Sequence, residues 1–281
     1  MTMLAVAPLS LIWAIGLVCV LPAALVLAFV TKIPVVIWLL LWTAGAGIMF
    51  LSPVEDFYAR AILGVRRPAS NELRKLEPLV QRVCASAGVS HNSFTLWVQD
   101  TPEVNAFARA GRTMSVTSFG LEQSPDKLEA ILAHELGHHL GGHAFIQGVM
   151  NWFSLPYLQA MRLRALGLQI RGSSDRLFLP IFVYNAMLLP LRLFHFVATV
   201  ACRTIGRQQE MLADRTAARL GYGPALIDSF KERIEEETNQ QKTSERSGRR
   251  SVLMYLISTH PPLQERIYAL EQFLSAQGES A

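Results

Sequence analysis

The chain has 281 residues, enough for one large domain or two small ones. Of these 51% are hydrophobic, and the mean hydropathy of +0.27 exceeds what an ordinary soluble domain needs, so part of the chain is meant for lipid. The net charge of +4 is not laid out as a stripe of basic and aromatic residues, which argues against nucleic acid and leaves anionic lipid headgroups as the partner of arginines that cluster beside apolar segments.

Residues 1–54 hold a single charged side chain, Lys32, which divides an uncharged run at 4–30 from another at 33–51. A spanning helix needs about 20 apolar residues, so the two runs predict a transmembrane helical hairpin with a tight turn. The first run is read as a span rather than a cleaved signal peptide, since no Lys or Arg precedes it and it outruns an h-region of roughly 7–15 residues. Arg60, Arg66, Arg67, Arg74 and Lys75 follow the second run, against the lone Lys32 in the turn. Such an excess marks the cytoplasmic side, so both ends of the hairpin are expected to face the cytoplasm.

From Asn71 to Ala87, Leu73, Leu76, Val80 and Val83 recur at helical spacing, with Gly88 as a stop. Three β-prone runs follow, at 94–98, 104–108 and 113–117, and predict a small sheet of about three strands. Ser124-Pro125-Asp126 supplies an N-cap, a first-turn proline and an early acid, so a helix begins here and runs through His138. Residues 145–202 are apolar again but broken by Pro156, Pro180 and Pro190, and carry Arg162, Arg164, Arg171, Arg176 and Arg192 against Asp175. Two readings stand for this insert: a pair of crossing segments, or a hairpin lying on the cytoplasmic leaflet. Helices are expected at 203–220, 224–237 and 252–275, and the stretch 238–251 has no apolar side chain to hold it to a core. Cys19, Cys84 and Cys202 are odd in number and lack a C-x-x-C spacing, so neither a disulfide framework nor a cysteine metal site is indicated.

The most specific signal is His134-Glu135-Leu136-Gly137-His138. Two histidines at i and i+4 project from one face of a helix within reach of one Zn²⁺, and Glu135 sits beside that face. There its carboxylate can accept the proton of a water whose pKa the metal lowers from about 15.7 toward ~7. Catalytic zinc takes three protein ligands. His143 misses the metzincin spacing, whose third histidine would fall at Ala144; His139 and His143 therefore read as helix-surface or supporting residues. Glu210 is the better candidate, with Asp214 one turn on and able to orient a ligand histidine. Taken alone, Glu210 and Asp214 read rather as an exposed acidic pair on a surface helix.

At these residues the chain resembles the HtpX and CAAX prenyl protease family of integral-membrane metallopeptidases. The resemblance covers roughly 95–144 and 203–270 and rests on four ordered blocks: Asn105-Ala106-Phe107-Ala108, the H-E-L-G-H motif, Glu210 with Asp214, and Thr259-His260-Pro261-Pro262 followed by Arg266-Ile267. It implies a gluzincin-type site binding one Zn²⁺ per chain through His134, His138 and Glu210, with Glu135 as catalytic base and polypeptides as substrates. By the same resemblance Asn105, Ala106 and Phe107 lie on an edge strand where a substrate adds as a further strand. His260 is placed near the metal, as an oxyanion donor or a resting-state ligand, on a movable cover formed with 238–251. Arg266 either pairs with Asp214 or another acid, or is a plain surface cation. The proline-broken insert departs from the family's layout.

The expected fold is therefore mainly α with a small β-sheet, an α+β zincin-like catalytic domain (55–144 and 203–281) with a transmembrane hairpin (1–54) and a membrane-associated insert (145–202). The expected function is a membrane-anchored, cytoplasm-facing zinc endopeptidase acting on unfolded or membrane-associated proteins. An intramembrane protease is a second reading, opposed by the charges of Asp126, Lys127 and Glu129 just before the motif. A non-catalytic membrane adaptor is a third, opposed by the intact Glu135.

Overall fold

A computed structural model describes residues 3–102, 106–109, 111–171, 178–243 and 261–278. The chain forms two compact units, one of Met1–Leu51 with Gln147–Ile205, the other of Ser52–Ile146 with Gly206–Ala281.

The first unit opens with α1 (Met3–Thr31), within which Ser10–Thr31 is, among the described residues, the one single helix long and apolar enough to cross a membrane. Lys32 adopts φ 61°, reversing the chain into α2 (Val35–Ala44). The expected second span is not one regular helix: after ten residues α2 tightens into a 3₁₀ stretch, Gly45–Phe50. With the greater rise of 3₁₀ geometry the two pieces together reach about 27 Å, close to a hydrocarbon core of about 30 Å. Trp152 explains the switch, because a Cβ at Gly45 would lie 2.5 Å from its ring, and its Nε1 donates to the Trp42 carbonyl at 2.8 Å. Trp13 Nε1 donates to Thr43 Oγ1 at 3.2 Å, tying α1 to α2. From the insert, α6 (His143–Arg171) adds Phe153, buried with Ile12 and Ala46. Its Tyr157 stacks on His195 of α7 (Phe178–Arg219), ring centroids 3.9 Å apart.

The second unit is α+β. Among the described residues its sheet has four strands where about three were expected: β1 (Val65–Arg66), β2 (Thr95–Gln99), β3 (Ala106–Arg109) and β4 (Thr113–Thr117). The order is β1-β2-β4-β3, with β2 and β4 parallel and the outer pairs antiparallel. A two-residue strand is too short to show a periodicity, which is why β1 is invisible in the sequence. Alternation puts Val98, Met114 and Val116 on one face, packed on Leu76, Val80 and Val83 of α4 (Ser70–Ser86) and Leu128, Leu132 and Leu136 of α5 (Pro125–Leu140). Helices α8 (Gly223–Thr243) and α9 (Leu263–Gly278) complete this core through Leu226 and Leu270.

The opposite face, with Trp97, Thr113 and Ser115, is covered by α3 (Ser52–Leu63), whose Ala59 joins Trp97 and Val65 in a separate small core. Glu55, 4% exposed, accepts from Arg112 N at 2.9 Å and Thr113 Oγ1 at 2.8 Å and so clamps α3 to the start of β4. At the amino end of α4, Glu72 reaches back to Ala69 N at 2.7 Å and receives Arg66 through both its terminal nitrogens, at 2.7 and 2.8 Å.

Candidate metal centre

Helix α5 is started by Ser124 and Pro125, and its apolar residues Leu128, Leu132 and Leu136 hold one face in the core. That anchorage sets the rotation of the helix and leaves His134 and His138, four residues apart, on the side that meets α7. The approach of α7 is unusually close. A Cβ at Gly137 would lie 2.8 Å from Ala213 Cα and 3.0 Å from Ala213 O. Glycine in a helix interior costs roughly 1 kcal/mol relative to alanine; here it is what lets the backbones meet and brings a carboxylate of α7 to the histidines.

That carboxylate is Glu210, 3% exposed. Its Oε1 lies 3.2 Å from His138 Nε2 and its Oε2 3.6 Å from His134 Nε2, and the two Nε2 atoms are 3.1 Å apart. Behind this triangle, Asp214 Oδ1 lies 2.8 Å from His134 Nδ1. With Nδ1–H donated to Asp214, the Nε2 lone pair of His134 faces the centre. Arg266 grips Asp214 through Nε and Nη2 at 2.7 and 2.6 Å and approaches Glu210 Oε2 through Nη1 at 3.2 Å, while its guanidinium lies over Phe230, 4.3 Å from the ring centroid. It is 5% exposed, so it is no surface cation, and Glu210 and Asp214 are no exposed acidic pair.

Glu135 has a ligand oxygen within 4.8 Å of both histidines and also reaches the sheet. Its Oε2 accepts the Ala108 N–H at 2.6 Å. Because among the described residues β3 pairs only with β4, this amide belongs to the strand's outer edge, the edge that faces α5. His139 is also turned inward, its Nε2 donating to the Thr113 carbonyl at 3.0 Å and its ring against Phe94, which is the supporting rather than the helix-surface alternative read for it.

The electrostatics follow from burial and pairing. Burial raises the Glu135 carboxyl above its ordinary range, the nearby His134 and His138 opposing only in part. At His138 burial works against the charged form, but the hydrogen bond it donates to Glu210 and the charges of Glu135 and Glu210 outweigh it and raise the imidazole. Burial likewise works to raise Asp214, yet Arg266 and His134 hold it below the usual carboxylate range. His139 is pushed down to about 4, chiefly by burial, and stays neutral.

A divalent ion fits this donor set. Ligand atoms of His134, Glu135 and His138 converge within 4.8 Å of one another. Two nitrogens about 2.1 Å from one tetrahedral ion stand about 3.4 Å apart, and the observed separations among the Nε2 atoms and Glu210 are 3.1, 3.2 and 3.6 Å. Of the two glutamates, Glu210 spans both ring nitrogens, whereas Glu135 is engaged by Ala108. Ala106 and Phe107 lie on β3; Asn105, His260 and 244–251 of the cover expected around His260 lie outside the described residues, whereas 238–243, expected as the start of that loop, continue helix α8 to Thr243. Two contributors escaped sequence reading: Gly137, whose helix-interior position was the available signal, and the Ala108 amide, which as backbone gives none.

Comparison with known proteins points the same way. The model of Peptidase family M48 matches residues 70–274, from the start of α4 to within α9. Protease HtpX of Idiomarina loihiensis is 30% identical over 227 residues, covering 74% of this chain and 75% of that protein. Protease HtpX of Shewanella halifaxensis is 29% identical over 246 residues, covering 80% and 84%. Among solved structures, S. mikatae Ste24p superposes with a TM-score of 0.52 at 18% identity, covering 89% of this chain and 61% of that one, a likeness of fold alone. With a metal-competent His-Glu-His cluster in a mainly helical domain and a family match over most of its length, the chain belongs to peptidase family M48 and is a protease by kinship.

Proposed function

We propose that the chain is a membrane-anchored zinc endopeptidase that hydrolyses unfolded or membrane-associated polypeptides on the cytoplasmic side. The observation that carries this reading is the convergence of His134 Nε2, His138 Nε2 and the Glu210 carboxylate, with the far nitrogen of His134 turned to Asp214. His134, His138 and Glu210 hold one Zn²⁺, which when bound supplies Lewis acidity. Asp214 fixes the tautomer and ring angle of His134, and Arg266 offsets part of the charge of the two buried acids and holds both in place.

Glu135 is the general base. One of its oxygens is anchored by the Ala108 amide, leaving the other for the attacking water, whose proton it takes and then passes to the departing amine. Burial raises its carboxyl, which brings its basicity nearer to the task. Ala106, Phe107 and the preceding Asn105 form the edge on which an extended substrate pairs as a further strand, and His260 assists the developing oxyanion. Residues 1–54 and 145–202 serve as the membrane part, and 55–144 with 203–281 as the peptidase part. Support for the anchor is the long apolar helix Ser10–Thr31, and for the orientation the cations from Arg60 to Lys75.

The test is Glu135→Gln, which keeps shape but cannot take a proton. Zinc content should stay stoichiometric while casein cleavage falls by about 10²–10⁴-fold. Near-normal turnover would remove Glu135 from the mechanism, and absence of zinc from the unaltered protein would remove the metal.

A further inference from the structure

Helix α3, which begins two residues after the 3₁₀ stretch ends at Phe50, has two unlike faces. Glu55 and Ala59, four residues apart, are 4% and 1% exposed and lie on the sheet. On the other side Pro53, Phe57 and Ala61 recur at the same interval and, with Asp56 and Arg60, line one shallow concavity. Phe57 is 69% exposed. No described residue covers this stripe. A cation flanks it: Arg60 meets the Trp97 ring at 5.6 Å and no carboxylate among the described residues, because its neighbour Asp56 is taken by Arg67 at 2.8 Å.

We propose that the outer face of α3 docks on the lipid surface, with Phe57 at the boundary between headgroups and acyl chains and Arg60 on anionic headgroups. The inference rests on the membrane anchorage proposed above. Chain continuity selects this occupant over a second copy or another protein. The helix has 12 residues, about 18 Å, and hangs by one linking residue from the apolar segment, so every part of it stays near the bilayer surface whatever the domain does. With Glu55, Asp56 and Arg60 inside it, α3 does not itself span; an apolar stripe with a flanking cation is the pattern of a helix lying in the interface. The consequence concerns substrate class. The sheet that ends in edge strand β3 packs on the opposite face of α3, one helix diameter of about 10 Å from the lipid. Docking therefore favours chains presented at the membrane surface over those free in solution.

The experiment uses full-length protein, its native cysteines replaced, in vesicles of phosphatidylcholine alone or mixed with phosphatidylglycerol. A bimane label is placed by Phe57→Cys, by Val26→Cys in α1, or by Glu236→Cys on α8. Lipids brominated high on the acyl chain should quench the label at position 57, more in the anionic vesicles, and leave that at 236 bright; Arg60→Gln should remove the difference between vesicles. A label at 57 that responds to aqueous iodide as the one at 236 does, while position 26 is quenched by deeply brominated lipid, overturns the docking of α3 and leaves the anchor standing. Position 26 unquenched overturns the anchor and this inference with it. Protection at 57 that rises with protein density at fixed lipid assigns the face to a second copy instead.

Discussion

His134 touches the centre through one ring nitrogen and Asp214 through the other, so the strength of any metal site here depends on a residue that is not a ligand. Asp214→Asn keeps the volume but removes the charge that holds the imidazole in its Nε2-free tautomer. Zinc affinity should fall about 10–100-fold, read by competition with a chelator, while far-ultraviolet circular dichroism stays unchanged; undiminished affinity would leave Asp214 a purely structural partner of Arg266. Legibility in the sequence follows the same division. His134, Glu135 and His138 are legible because their relation is local, one turn of one helix. Glu210, Asp214 and Arg266 come from α7 and α9, and no periodicity links those helices to α5, so the sequence offered Glu210 and Asp214 only as candidates, and the family resemblance set them and Arg266 apart from surface charges. The Ala108 amide was not legible at all, since every residue but proline carries one.

Between elements, the decisive contact is α5 on α7. Gly137→Ala would put a methyl carbon 2.8 Å from the Ala213 backbone, where no side chain can rotate away. The helices must separate, drawing Glu210 from the histidines. Such overpacking costs about 1–3 kcal/mol, and zinc content should drop together with the unfolding midpoint; retention of both would show that the interface can yield. A second consequence concerns acid stability. Arg66, and then the Ala69 amide, lower the Glu72 carboxyl from 4.5 to about 2 despite the opposing effect of burial. A folded-state value below the unfolded one means the contribution is fully present above pH about 4.5 and is lost as pH falls toward about 2. The stability difference between the unaltered protein and Glu72→Gln should therefore shrink across that window, and a constant difference would count against the pairing. Helix α4 and the three longer strands were legible as periodic text, with Gly88 ending the helix region at φ 68°. The two-residue β1 and the 3₁₀ half of the second apolar run were not, because one is set by pairing with β2 and the other by Trp152 from a distant segment.

At the scale of the whole molecule the open quantity is which side of the membrane holds the peptidase unit, and it turns on how cations count. Arg66 and Arg67, two of the five that follow the second apolar run, are ion-paired with Glu72, Asp100 and Asp56, which on a net-charge argument would weaken the orientation signal. The rule is not one of net charge. Lys and Arg near helix ends resist translocation while Asp and Glu contribute little, so pairing in the folded state leaves five cations against the single Lys32. Lys32 sits alone in the turn, over the Phe29 ring at 4.6 Å, and moving one cation across requires far less than moving five. Cysteines introduced by Lys32→Cys and by Lys231→Cys, the latter on an exposed position of α8, should therefore react from opposite faces of sealed, oriented membrane vesicles with an impermeant maleimide. Lys231→Cys should label only from the cytoplasmic side. Labelling of both positions from one face would mean that the second apolar run fails to cross and that the chain enters the membrane through α1 alone.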